Sequence, residues 1–254
     1  MLRFFLFTLS LIFITNAAGA ESSVQKEESF KNFLSGIEPG LAFIYRTRSH
    51  QRGALIREAP SFIVLPSFKF VDWLTLGQGL TYSQNILNQD LLLKAGFKFI
   101  EDSSAFELIN DRETFRSSRD LSLELFLELD YTPAEHMIMK LEYSKDVIDH
   151  LGAYTAVSFE SPIWMRYYEL KFGLEVGYGN SRHNIHFYGD GAVTGFAFYN
   201  LYSRLTLLNL PFDGMVDVKL ESTNIALEQN QAASLVRKGD SPIALSVMAT
   251  WILY

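Results

Sequence analysis

The sequence predicts an all-β protein, a single antiparallel transmembrane β-barrel, and three observations point to it. Apolar and polar residues alternate with period two through segment after segment. Those segments run to about ten residues, the length a tilted strand needs to cross a bilayer, whereas strands of globular proteins average about 5 to 6. Aromatic residues stand at the ends of the apolar rows (Tyr131, Tyr143, Tyr168, Tyr178), where interfacial girdles sit.

The chain opens MLRFFLFTLSLIFITNAAGA, with one cation, Arg3, then an apolar run from Phe4 to about Ile14 and small residues ending Ala18-Gly19-Ala20. This is the layout of a cleaved signal peptide over residues 1–20, with the mature chain starting at Glu21. Its apolar core is shorter than the ~20 residues of a membrane-spanning helix, and no later stretch is long and apolar enough for one. Residues 21–35, beginning ESSVQKEESFKN, read as a periplasmic lead-in, and residues 36–254 as the barrel. The expected location is the outer membrane of a Gram-negative cell envelope.

The strands follow in order. The segments 37–48, 61–70 and 73–83 come first, then Leu93, Ala95, Phe97 and Phe99 against Lys94, Gly96 and Lys98. Residues 121–131 place Leu121, Leu123, Leu125, Leu127 and Leu129 against Ser122, Glu124, Phe126, Glu128 and Asp130. Met137, Met139, Leu141 and Tyr143 alternate with Lys140, Glu142 and Ser144, and a further segment spans 150–160. Residues 168–178 set Tyr168, Leu170, Phe172, Leu174, Val176 and Tyr178 against Glu169, Lys171, Gly173, Glu175 and Gly177. The segment 195–208, then Val216, Val218 and Leu220 against Asp217, Lys219 and Glu221, and finally 243–254 complete eleven strands. Bacterial single-chain barrels are even-numbered, so twelve strands are expected, with ten as the second choice. Long connections near 101–118, 179–194 and 226–242 alternate consistently with short ones from about residue 90 onwards. The miscount therefore falls in the N-terminal third, where Pro60 and Pro66 weaken 61–70 as a central strand.

In the last strand Leu245, Val247, Ala249, Trp251 and Leu253 form the cleaner apolar row, while the terminal aromatic, Tyr254, shares the other with Met248, Thr250 and Ile252. A strand ending the chain on an aromatic residue resembles the C-terminal signal of outer-membrane barrels. We assign that signal to Met248, Thr250, Ile252 and Tyr254 and expect the barrel-assembly machinery and outer-membrane lipid as partners. Which row meets lipid is left open.

Composition narrows the function. The 254 residues include no cysteine, which excludes disulfides, thiolate metal sites, a cysteine nucleophile and an acyl anchor. A net charge of −7 argues against nucleic acid as a partner. The polar rows carry both signs: Lys94, Lys98, Glu124, Glu128, Asp130, Lys140, Glu142, Glu169, Lys171, Glu175, Asp217, Lys219 and Glu221. Charges of one sign would be costly to enclose, whereas mixed signs pair. We therefore expect an ion-paired, largely occluded lumen. Of the five histidines, His50, His136, His150, His183 and His186, the last two lie three apart in RHNIHF. That spacing suits two ligands on a helical turn, with Asp190 as a source of a third. The plainer reading, solvated loop histidines, is the one adopted, and no metal or cofactor is expected. Ser181 lies near His183, but there is no G-x-S-x-G elbow, and no catalytic residue is assigned.

Several segments resemble the MltA-interacting protein (MipA/OmpV) family of outer-membrane proteins. EAPSFIVLPSFKF followed by LGQGLTY is similar to that family's proline-spaced strand and Gly-Leu-Gly-Tyr strand; YSKDVIDHLGAY resembles its Asp-Leu, His-x-Gly hairpin; FGLEVGYGNSRHNIHFYG, ending in Phe187, Tyr188 and Gly189, resembles a strand running into a loop that closes on an aromatic pair. NQAASLVRKGDSPIALSVMATWILY is similar to its ending. The chain departs from the family in closing Leu-Tyr rather than Arg-Phe and in replacing several strand glycines. The resemblance implies a scaffold bridging murein-remodelling enzymes, a lytic transglycosylase and a murein synthase, without catalytic residues. The alternatives are a narrow outer-membrane channel for small solutes and, third, a lipid- or peptide-modifying enzyme.

Overall fold

In a computed structural model of the chain, the described residues are 37–57, 60–71, 74–77, 79–86, 90–100, 122–210, 214–236 and 242–252. The expected signal peptide and lead-in lie outside them. The elements are β1 (Glu38–Arg46), β2 (Ser49–Gln51), β3 (Ala54–Arg57), β4 (Ser61–Val71), β5 (Leu74–Leu76), β6 (Gly79–Ile86), β7 (Leu91–Ile100), β8 (Ser122–Ala134), β9 (Met137–Asp146), β10 (Ala153–Trp164), β11 (Tyr168–Gly179), α1 (Ser181–Tyr188), β12 (Gly195–Leu210), β13 (Gly214–Ile225), the single turn α2 (Glu228–Gln231) and β14 (Ile243–Ile252).

Twelve of the strands close into an antiparallel barrel in the order β1, β14, β13, β12, β11, β10, β9, β8, β7, β6, β5, β4, while β2 and β3 form a separate hairpin. Closure runs through β1, which pairs with β14 from Gly40↔Ile252 to Arg46↔Ser246 and with β4 from Glu38↔Lys69 to Arg46↔Ser61. The twelfth strand comes from residues 73–83. The sequence reads there as one strand, but LTLGQGLTY folds back around Gly77, so Leu76 pairs with Leu80 and Leu74 with Tyr82. Alternation continues through a tight turn when the two strands share a face, and so the period alone conceals the reversal. Pro66 does not demote β4. It faces Leu41 of β1, and on β4's other side the described pairing with β5 starts only at Phe68, leaving room for a residue without an N–H.

The exposed row is apolar. Leu125 is 52% exposed and its neighbour Glu124 1%. Leu127, Tyr131, Leu141, Tyr143, Phe159, Phe172, Leu174, Tyr178, Leu201 and Leu220 are exposed as well, on the outside of the cylinder. A soluble protein does not turn a continuous belt of this size to water; the belt is the lipid face of a membrane-spanning barrel. Register settles the last strand too. Val247 pairs with exposed Tyr45, and buried Ala244 pairs with Glu221. Leu245, Val247, Ala249 and Trp251 therefore face lipid. Met248 and Thr250 share the inner row with Asp217 and Ile44, while Ile252 pairs through its backbone with Gly40 and Tyr254 lies outside the described residues. One irregularity matters inside: a bulge opposite Gly177 and Tyr178 shifts β12 by one residue, so that Phe196 points out and Phe198 points in.

An arginine at the middle of the lipid belt reports which face is outside. Leu127→Arg is expected to destabilise the barrel by about 2–4 kcal/mol in reversible folding into lipid vesicles. An unchanged folding free energy would mean that Leu127 does not face hydrocarbon.

Candidate functional site

The described loops 147–152, 180–194 and 226–236 lie at one end of the barrel, and there the hairpin β2–β3 folds into the lumen. Its turn is Arg52-Gly53, with φ of 49° and 84°. Both central residues are left-handed, the signature of a two-residue type I′ turn between right-twisted strands. Gly53 suits this conformation, and a Cβ there would lie 2.5 Å from Cβ of Phe198. Arg52 does not suit it: an ordinary residue pays roughly 1–2 kcal/mol to be left-handed. What holds it is the set of contacts made by its side chain.

The guanidinium forks onto Glu124, with Nη1 donating to Oε1 at 2.5 Å and Nη2 to Oε2. Nη2 also donates to Ser144 Oγ at 2.9 Å, and Nη1 meets His183 Nε2 at 2.9 Å. Glu142 stands 3.8 Å away, and the Tyr154 ring lies under the guanidinium with its centroid 4.0 Å from Cζ. The Arg52 carbonyl accepts the Tyr188 hydroxyl at 2.6 Å. Around this arginine Ala54, Tyr154, Phe187, Tyr188, Ala197 and Phe198 form a small dry cluster that also takes in Ala192 and Ala233. The hairpin, α1 and the α2 loop thus cap the lumen as one unit. Hydrogen bonds from Asn184 Nδ2 to the Val193 carbonyl (2.6 Å) and from the Val193 N–H to Asn230 Oδ1 (2.8 Å) lock the loops to each other.

The histidines correct the expectation of solvated loop side chains. The segment 181–188 is helical, capped by the Asn180 side chain accepting from the His183 N–H, and His183 is fully buried. Because Arg52 can only donate, His183 Nε2 accepts, and its proton sits on Nδ1, 3.0 Å from Asn184 Oδ1. His150 Nδ1 accepts from the Gly152 N–H at 2.9 Å and its ring lies 4.2 Å from that of His186, which meets Asp149 at 3.1 Å. Asp146 folds this loop by accepting the N–H groups of Ile148, Asp149, His150 and Leu151. Burial, then the adjacent Arg52 charge, holds His183 well below the usual imidazole range. Burial also lowers His150, against the pull of Asp146, Glu124 and Asp149. Among the described residues no group of three or more His, Asp or Glu is placed to hold a metal ion. Ser181 is exposed at the start of α1.

Below the cap, the residues singled out in the polar rows line the wall. Lys94 donates to Glu128 and Asp130, each at 2.7 Å; Lys98 meets Glu142; Lys171 lies 3.1 Å from Glu169 and Lys219 2.5 Å from Glu221. Lys140 and Asp217 find partners the alternation did not single out. Lys140 meets Glu160 at 2.7 Å, which also accepts from Tyr202, and Asp217 takes both prongs of Arg204 and the Thr206 hydroxyl. Glu124 belongs to Arg52, and among the described residues Glu175 accepts the Tyr154 hydroxyl alone, at 3.2 Å. Between cap and wall lies a polar cavity of about 220 Å³ bordered by Arg52, Lys98, Glu142, Glu175, Lys219 and Glu221. Arg52 escapes a periodicity reading because a three-residue strand carries no usable period. The available signal was the Arg-Gly pair in HQRGAL.

No family model matches the sequence, and no curated protein matches it. Among solved structures, the chain is similar to an outer-membrane channel of Pseudomonas putida F1, with a TM-score of 0.48 and 10% identity over 86% of this chain and 96% of that one. It is also similar to the NanC porin (TM-score 0.44, 7% identity, 85% and 100% covered) and to the outer-membrane protein OmpT of Vibrio cholerae lacking loop L8 (0.40, 9%, 85% and 98%).

Two outcomes follow from the cap. Arg52→Ala strands the buried Glu124 carboxylate and is expected to cost about 3–5 kcal/mol of stability, part of it recovered in the double variant with Glu124→Ala; additive losses would show that the two do not interact. The docked hairpin holds His183 neutral, so it binds fewer protons than the undocked state. Its docking is fully present above the ordinary imidazole value of 6.5 and weakens as pH falls from there towards the depressed one. Cleavage within residues 47–60 by an added protease should rise from pH 7.5 to 5.5 once corrected for the protease's own pH profile, and His183→Gln should flatten that rise.

Proposed function

We propose that this protein is a narrow outer-membrane channel for small solutes, throttled at its mouth by the inward hairpin. The observation that carries this reading is a charged lumen wall that stays wet. Below the cap the lysine side chains keep solvent contact, 27% of the surface for Lys94 and 33% for Lys219, even though they are paired. A wall of alternating charge with water beside it lets ions and polar solutes exchange hydration for side-chain contacts. A lumen meant only to be filled has no need of it. The dry cluster around Arg52 then sets the size limit. Scaffolding of murein-remodelling enzymes is supported by the sequence resemblance alone, and the lumen has no part in it.

Purified protein in planar bilayers is expected to give small, steady openings, enlarged by Arg52→Ala because the hairpin loses its anchor. Silence of both proteins in bilayers would end the channel reading, and recovery of murein enzymes on the solubilised barrel would then favour the scaffold.

A further inference from the structure

The cavity under the hairpin is not neutral in its pairing. Among the described residues, its arginine and two lysines are each bonded to a carboxylate, Arg52 to Glu124, Lys98 to Glu142 and Lys219 to Glu221, and His50 borders the cavity as well. Among the described residues, Glu175 is the bordering carboxylate to which no cation is bonded. Its hydrogen-bond donor is uncharged, the Tyr154 hydroxyl, whereas a carboxylate offers about four acceptor sites. The residues directly across from it on the adjoining strands are Ser158 and Asn200, both uncharged. Asn200 is itself engaged elsewhere, with Nδ2 reaching Glu221 at 3.4 Å and Oδ1 accepting the Thr223 hydroxyl at 3.0 Å. Lys219 and Arg52 feel Glu175 electrostatically but bond Glu221 and Glu124, and Arg46, which interacts with Glu221, does not border the cavity.

The setting strengthens that charge. The Tyr154 and Phe198 rings lie parallel, with centroids 6.2 Å apart, and both are buried. Gly177 sits between them, where a Cβ would lie 2.7 Å from Phe198 and 2.8 Å from Tyr154. This flank is sealed against water, and a carboxylate beside a dry wall attracts an incoming cation more strongly than one in bulk solvent. At about 30 Å³ per water, the cavity has space for a molecule of several heavy atoms. A primary ammonium offers three N–H donors, one for Glu175 and others for the neighbouring Glu221 and Glu142 oxygens.

Resting on the channel reading, we propose that Glu175 is the specificity-determining residue of the lumen and that the solutes it selects are small organic ammonium ions. The probe is ethylammonium chloride, used in two assays. In bilayers under a salt gradient, the reversal potential should show preference for the cation, and Glu175→Gln should lower the cation-to-chloride permeability ratio at least threefold while Glu175→Asp keeps most of it. In equilibrium dialysis with detergent-solubilised protein, radiolabelled ethylammonium should bind saturably, at one site per barrel. Glu175→Gln should weaken that binding tenfold or more, and Glu228→Gln, at an exposed position on α2, should leave it unchanged. Heat-modifiable gel mobility confirms that each variant is a folded barrel. Openings that pass anions and cations alike, or Glu175→Gln protein that binds as the natural protein does, overturn this assignment and leave the channel standing. Silent bilayers together with Glu175-dependent binding overturn the channel and leave the site.

Discussion

Closure is the constraint from which the rest of the structure descends. Within hydrocarbon no water is available to satisfy an open strand edge, so the first strand must find the last, as β1 and β14 do from Gly40 to Arg46. Once the sheet is a cylinder, the pleat allows each residue only two destinations. Greasy side chains go outward to lipid, and ionised ones go inward, where the pleat sets them beside charges of the same and nearby strands. Pairing is then a geometric consequence of the cylinder. Lys94 reaches two carboxylates of β8, and Lys140 reaches Glu160 on β10.

The mouth obeys a different logic. There the wall is sealed by burying polar groups that satisfy each other. Arg52 is the hub: its fork holds Glu124, its carbonyl holds Tyr188, and its ring contact holds Tyr154. A left-handed arginine at a turn is a local conflict, and such conflicts persist where surrounding contacts over-determine the conformation. Removing its partner would leave a charge in a site too dry to solvate it, which makes the cap cooperative: the hairpin, α1 and the α2 loop have reason to stay or leave together. The same dryness borders the cavity beside Glu175 and ties the geometry of the cap to the electrostatics of the passage below it.

Much of the wall was legible in the sequence, because period-two alternation is a direct readout of a cylinder with lipid outside and charge within. Leu125 against Glu124 and Phe172 against Lys171 need no tertiary information. The legible part ends where geometry departs from the period. The reversal at Gly77 kept the alternation in phase and so looked like one strand, and the bulge in β12 turned Phe196 outward although its spacing sets it in phase with the inward Phe198 and Asn200. The choice between the two rows of β14 needed a partner of known facing, supplied by Tyr45. At the mouth almost nothing was legible. The roles of His183 and Arg52 depend on contacts spanning 131 residues of sequence, and a polar loop gives no sign that it will be folded into a dry interior.

The hairpin is also a ligand that the protein carries on a leash. Residues 47–60 are fastened at one side by Thr47, whose N–H reaches the Leu245 carbonyl at 2.9 Å, and at the other by the start of β4. A free guanidinium compound competing for Glu124 would face a rival that never diffuses away and whose effective concentration is on the order of millimolar for so short a tether. Rebinding is then a unimolecular event, and release leaves Arg52 hovering at the pore entrance rather than lost to bulk. The resting state of the passage is consequently set by a covalent connection as much as by the strength of any contact the arginine makes.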